Sequence, residues 1–235
     1  MCTGSALRIP LWEVVIVTAA RPFGTPPAQS LVFAEAYPTE DIVLRTARDL
    51  AQELGLAAVS PGTGSVLRLL AAAGSAKAVV EIGTGTGVSG IWLLRGMRPD
   101  GVLTTIDVEH EHQRIARRIF HEAGFAPSRT RIITGRALDV LPRLADGVYD
   151  LIFLDADATE FGACADAALR LLHSGGVLII NGALANGRIG DPAARDVDTV
   201  AIRDTLKTIR ESEAWIPALV PSSAGLLAAV KVAPA

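Results

Sequence analysis

Lysine is almost missing from this chain. Lys77, Lys207 and Lys231 are the only three in 235 residues, and every other basic side chain apart from the four histidines is an arginine. Arginine stays protonated at physiological pH, so the long stretch between Lys77 and Lys207 offers no amine base. Positive charge is not in excess either: the net charge is −3, which argues against a nucleic-acid partner. Cysteine is equally sparse. Cys2 and Cys164 stand far apart without metal-ligand spacing, which excludes a disulfide scaffold or zinc site and fits a reducing cytoplasm. No run of 18 apolar residues exists, so neither a transmembrane helix nor a membrane partner is expected. The apolar segment at 11–17 is interrupted by Glu13, too short for a secretory core. Residues 21–29 (RPFGTPPAQ) are proline-rich and linker-like. The expectation is a poorly ordered extension over 1–30 followed by a single domain over 31–235.

What is present is concentrated in residues 79–90, VVEIGTGTGVSG. An apolar run, an acidic residue and glycines at alternate positions make a strand–turn–helix opening. Gly83, Gly85 and Gly87 lack Cβ and let backbone approach a ligand closely. Gly85-x-Gly87-x-x-Gly90 also fits the dinucleotide fingerprint, so a nicotinamide-dependent oxidoreductase stays open at this point. Glu81, two residues before the first glycine, tilts the reading toward S-adenosylmethionine.

The surrounding pattern supplies the architecture. A helix is predicted over 39–54, capped by Thr39, with Ile42, Val43, Ala47, Leu50, Ala51 and Leu54 on its buried face. A second follows over 62–73, with Val66, Leu67, Leu69 and Leu70 inward. Apolar strands at 77–82, 102–107, 130–134, 149–155 and 176–181 alternate with helices near 89–97, 110–123, 138–144 and 159–172. Strands that read as continuous apolar runs are buried on both faces, as in a doubly wound parallel sheet. A polar loop, 182–195, leads to a helix near 198–211. The stretches 214–220 and 225–232 are joined too tightly for a helical crossover and should form an antiparallel hairpin. The fold class is therefore α/β: a Rossmann-like, doubly wound, mostly parallel seven-stranded sheet with an antiparallel C-terminal hairpin.

Ligands of such sheets bind beyond the carboxyl ends of the strands. Asp107 ends the second strand about 20 positions after the glycines, the place of a ribose contact. Gly135-Arg136-Ala137 follows the third strand, a small-residue step able to border an adenine ring. The fourth ends in FLDAD, with Asp155 and Asp157.

With these motifs in order, residues from about Pro61 to Val232 resemble the cation-dependent class I O-methyltransferases of the caffeoyl-CoA and catechol type. The stretches that carry the likeness are Pro61-x-x-Gly64-x-x-Leu67-x-x-Leu70, VVEIGTGTGVSG, TTIDVEHEH, GRALDVLPRL, YDLIFLDAD and SGGVLII. The resemblance implies S-adenosylmethionine as cofactor and a small hydroxylated acceptor. Glu81, with the backbone of Gly83 and Thr84, would hold its ribose or methionine region. Ser89 would meet the methionine carboxylate, Asp107 the ribose hydroxyls and Ala137 the adenine, with Asp155 between the methionine amine and the reacting centre. It further implies a homodimer using the N-terminal helices, and a divalent cation, Mg²⁺, bound at Asp155 and Asn181.

Two departures bear on that cation and on the base. An Asp-Asn pair in the family is Asn181-Gly182 here, which removes a charge and a ligand. The family's lysine, three residues past Asp155, is Ala158. Asp157 and Glu160 are the nearest carboxylates able to act as base. These losses leave room for a cofactor-binding regulatory protein without turnover. His110-Glu111-His112 reads as a polar helix start, since positions i and i+2 do not share a helix face. Cys164 and His173 show no nucleophile–base arrangement, and Arg114, Arg117 and Arg118 read as the wet side of a helix.

Overall fold

The computed structural model describes residues 28–233. Cys2, the apolar stretch at 11–17 and all but the end of the proline-rich segment lie outside the described residues. The chain divides into two units, Met1–Phe33 and Ala34–Ala235. Of the first, residues 28–33 are described and are helical, opening α1 (Ala28–Ala36). The second unit carries the sheet and the site.

Helix α2 (Ile42–Glu53) starts one step after Asp41, whose carboxylate accepts from the Leu44 amide at 3.0 Å. Asp41, not Thr39, is thus the cap. With the helix in this frame Leu44, Ala47 and Ala51 are buried, and Ile42 and Leu54 face solvent. Helix α3 (Pro61–Ala73) is capped by Ser60 and has proline in its first turn, where no N–H is needed. Its buried face is made of Thr63, Gly64, Leu67 and Ala71, while Leu69 is exposed. The small residues decide this: a Cβ on Gly64 would stand 2.3 Å from the Trp92 ring, so only glycine lets α3 sit this close to α4 (Val88–Gly96).

Seven strands form one sheet: β1 (Ala78–Ile82), β2 (Val102–Asp107), β3 (Thr130–Thr134), β4 (Tyr149–Leu154), β5 (Leu172–Asn181), β6 (Trp215–Val220) and β7 (Leu226–Lys231). Their order is β3-β2-β1-β4-β5-β7-β6, parallel through β5 and antiparallel at β7 and β6. Successive residues point to opposite faces. Val80, Ile82, Ile152, Leu154, Leu178 and Ile180 therefore enter one core layer, with α6 (Ala137–Val140), α7 (Phe161–Leu171) and α8 (Val197–Glu211). Val79, Leu103, Leu151, Phe153 and Ile179 enter the other, with α2, α3, α4 and α5 (His110–Glu122).

Two expected boundaries move. The helix predicted over 138–144 is broken into α6 and a 3-10 turn at Leu141–Arg143, because Pro142 has no N–H to continue the ladder. The fifth strand begins at Leu172 rather than 176. Tyr149 pairs with Leu172 and Leu151 already with Val177, so His173 to Gly176 bulge out of the strand instead of preceding it.

Candidate active site

The first cavity, about 420 Å³, opens beyond the carboxyl ends of β1, β2 and β4. Gly83, Thr84, Gly85, Thr86 and Ser89 line one wall, with Asp107, His112, Gly135, Ala137 and Asp155 around it. The glycine loop is held by close contacts. Gly83 has φ of 95°, and a Cβ there would lie 2.0 Å from the Asp155 carbonyl oxygen. Its amide donates to Ile106 O at 2.9 Å, while the Asp155 amide donates to Ile82 O at 2.8 Å. The loop is thereby tied to both neighbouring strand ends. The Thr86 hydroxyl extends this to α2, donating to Ala47 O at 2.7 Å.

Glu81 lies behind the loop and does not border the cavity. Its fully buried carboxylate accepts from the hydroxyls of Ser89 and Thr105, each at 2.6 Å, and Thr105 meets Thr84 at 2.7 Å. Burial, opposed by these hydroxyls and reinforced by the charges of Asp155 and Asp107, pushes its pKa up to about 7. Asp107 stands at the rim: one oxygen accepts from the Gly85 amide and the other from the Glu109 amide, both at 2.9 Å. His112 Nδ1 is 3.5 Å from Asp107. Thr105 and Thr86 are residues around the site that the sequence did not mark, and His112 was read there only as part of a polar helix start. That helix start brings His112 to Asp107 at the rim of the cavity.

Asp155 borders this cavity and a second one of about 440 Å³, lined among others by Phe161, Asn181, Gly182, Asn186, Arg188 and Asp198. Asn181 Nδ2 donates to Asp155 Oδ1 at 2.9 Å. Burial raises the Asp155 pKa to about 6, with the Asn181 bond working the other way. Asp157 also borders both cavities, but it caps a 3-10 turn at Ala158–Glu160. The Thr159 hydroxyl and amide, at 2.6 and 2.8 Å, hold its pKa below the usual carboxylate value. Glu160 borders only the first cavity and pairs with Arg136 at 2.9 Å. The remaining candidates fall elsewhere. Burial pushes the Cys164 thiol up to about 12, and His173, in the β5 bulge, bonds to Asp150 at 3.0 Å.

A family model described as O-methyltransferase matches residues 35–232. The chain belongs to the O-methyltransferase family. A relative from Mycobacterium marinum that carries an O-methyltransferase name is 53% identical over 198 residues, 84% of this chain and 88% of its own. Among solved structures, a protein from Corynebacterium glutamicum is 37% identical with a TM-score of 0.82, covering 88% of this chain and 98% of its own. The O-methyltransferase TomG from Streptomyces achromogenes, solved with S-adenosylmethionine and involved in tomaymycin synthesis, is 29% identical with a TM-score of 0.78 over 86% of this chain and 95% of its own. Family membership sets aside the nicotinamide alternative for the glycine loop.

In this O-methyltransferase the expected cation ligands do come together, since Asn181 touches Asp155. They do not make a cation cage. Asn181 presents its amide nitrogen to the carboxylate, and Gly182 adds no donor. No group of three or more His, Cys, Asp or Glu able to hold a metal occurs among the described residues.

Proposed function

We propose that this O-methyltransferase takes its methyl group from S-adenosylmethionine and delivers it to an oxygen of a small hydroxylated acceptor. The observation that supports this most is the meeting of two cavities at one carboxylate, Asp155. The first cavity suits the cofactor. Gly83 and Thr84 give close backbone approach, Asp107 lies where ribose hydroxyls need an acceptor, and Ala137 is a small wall for adenine. Ser89 sits in the first turn of α4, whose N-cap Gly87 makes no side-chain cap, so amide N–H groups there remain for the methionine carboxylate. Glu81 serves by holding Ser89 and Thr105 in position.

The second cavity suits the acceptor. S-adenosylmethionine supplies an electrophilic methyl on sulfur: the acceptor oxygen gains the carbon while the C–S pair returns to sulfur as a neutral thioether. In this reading Asp155, which borders both cavities, takes the hydroxyl proton and passes it to water. With a pKa near 6 it is mostly ionised at neutral pH, yet basic enough to help. Asp157, held by Thr159, and Glu160, paired with Arg136, are less free to do so. The two sparse cysteines and the family likeness also support a cytoplasmic homodimer. No helix among the described residues is long and apolar enough to cross a membrane.

Calorimetry of the folded protein with S-adenosylmethionine or its demethylated product is expected to show saturable binding. Absence of heat with both would sink the proposal. Asp107→Ala should weaken binding by about 1–3 kcal/mol, the scale of a lost charged hydrogen bond; unchanged affinity would remove Asp107 from the ribose role.

A further inference from the structure

The atoms around Asp155 bear on how the transfer is run. A hard divalent cation takes six or more oxygen ligands and is held best by several carboxylates. At the end of β5 this chain offers much less. Asn181 donates its amide N–H to Asp155 at 2.9 Å. It could turn its oxygen inward only by giving up that bond, and would then supply a single neutral donor. Gly182 supplies none. Nothing lies within 4 Å of where its Cβ would be, so the space for a ligand exists and the ligand does not. Its φ of 76° lies in the left-handed region, where any side chain costs some strain and asparagine is tolerated better than most. Asp157, the next carboxylate on the cavity, has its Oδ1 occupied by the Thr159 amide and hydroxyl. Asn186 and Asp198 border the same cavity, but no three His, Cys, Asp or Glu side chains among the described residues are grouped to hold a metal, so the donors in contact at the end of β5 are one carboxylate and at most one amide oxygen.

We propose that methyl transfer in this chain proceeds without a divalent cation, with Asn181 holding the Asp155 carboxylate in place and the open space beside Gly182 receiving the acceptor. This rests on the O-methyltransferase reading. The covalent change is unaltered: the O–C bond forms, the S–C bond breaks with its pair left on sulfur, and the hydroxyl proton goes to Asp155. What changes is the acceptor class. A chelated cation selects molecules that present two adjacent oxygens to it. Asp155 and Asn181 alone select a single hydroxyl that can hydrogen-bond to the carboxylate, so a vicinal diol is not required.

The test is Mn²⁺ binding, followed by electron paramagnetic resonance on the full chain saturated with S-adenosylhomocysteine. The wild type should leave the free-ion signal unquenched. The Asn181→Asp, Gly182→Asn double variant should quench it saturably with a single ion per chain, and Ala replacement of Asp155 in that background should abolish the effect. Gly182→Asn alone should fold and show a weaker version of the same gain, which covers the case in which two adjacent carboxylates prevent folding. Saturable Mn²⁺ binding by the wild type that Asp155→Ala removes would overturn the proposal. So would folded variants that gain nothing, because positions 181 and 182 would not then decide binding. Calorimetry with S-adenosylhomocysteine on the same samples keeps the two ideas apart: a chain that fails to bind it loses the cofactor reading, whatever the Mn²⁺ result.

Discussion

Glu81 shows how much one side chain can carry. Its carboxylate is buried with two hydroxyl donors and two acidic neighbours, and its pKa of about 7 lies well above the ordinary 4.5. The sign of the consequence follows from proton counts. Between about pH 4.5 and 7 the folded chain keeps a proton that the unfolded chain has released, so stability falls as pH rises through that window. For the ligand-free protein the loss is roughly 3 kcal/mol at most. Glu81→Gln keeps the shape and removes the charge, and the Ser89 and Thr105 hydroxyls can rotate to suit the amide. Urea melts at about pH 5 and about pH 8 should show the variant losing less stability than the wild type over that interval. Parallel losses would assign the pH dependence to other groups. Glu81 itself was legible in the sequence because it sits in the local glycine motif. Thr105 was not: a threonine in an apolar strand looks ordinary, and only the parallel register that sets Glu81 beside Thr105 gives its hydroxyl a task.

Among elements, the legible ones are those whose signals are local. The five parallel strands and the C-terminal hairpin follow from apolar runs and their spacing. The bulge at His173 to Gly176 was hidden, since two glycines before an apolar run read equally well as a turn. So was the link between the hairpin and the acceptor side. Ala183 and Leu184 donate to Gly225 O and Ala224 O at 3.0 and 2.9 Å, bracing the segment after Asn181 against the β6–β7 turn. Glu35 holds that turn in place. Its carboxylate accepts from the Ser60 hydroxyl at 2.6 Å, the Ser222 hydroxyl at 3.2 Å and the Ser223 amide at 2.9 Å. These partners are 25, 187 and 188 residues away in sequence, beyond the reach of any periodicity argument. Glu35→Ala should cost about 1–2 kcal/mol in denaturant melts. It should also speed amide exchange at Ala183 and Leu184 while leaving Asp155 and Gly83 unchanged. Uniform acceleration would indicate general destabilisation rather than a brace.

At the scale of the whole molecule, the order of motifs made the fold and the lining of the first cavity readable. The acceptor side was readable mainly as a set of departures, because its walls come from the segment after β5 and from α8, which carry no recurrent motif. Oligomeric state belongs to this scale too. Sedimentation of the 24.6 kDa chain is expected to give twice that mass, and a monomer at micromolar concentration would count against the homodimer. The shared residues Asp155, Ala156 and Asp157 have a different kind of consequence. On the proposed reading donor and acceptor meet at this carboxylate, and binding of one is expected to alter binding of the other. Whatever factor the methyl donor applies to acceptor affinity, the acceptor must apply to donor affinity. A change in cofactor affinity caused by adding small hydroxylated compounds therefore reports acceptor binding without any turnover. On the proposed reading, the junction at Asp155 turns cofactor titration into a screen for the acceptor.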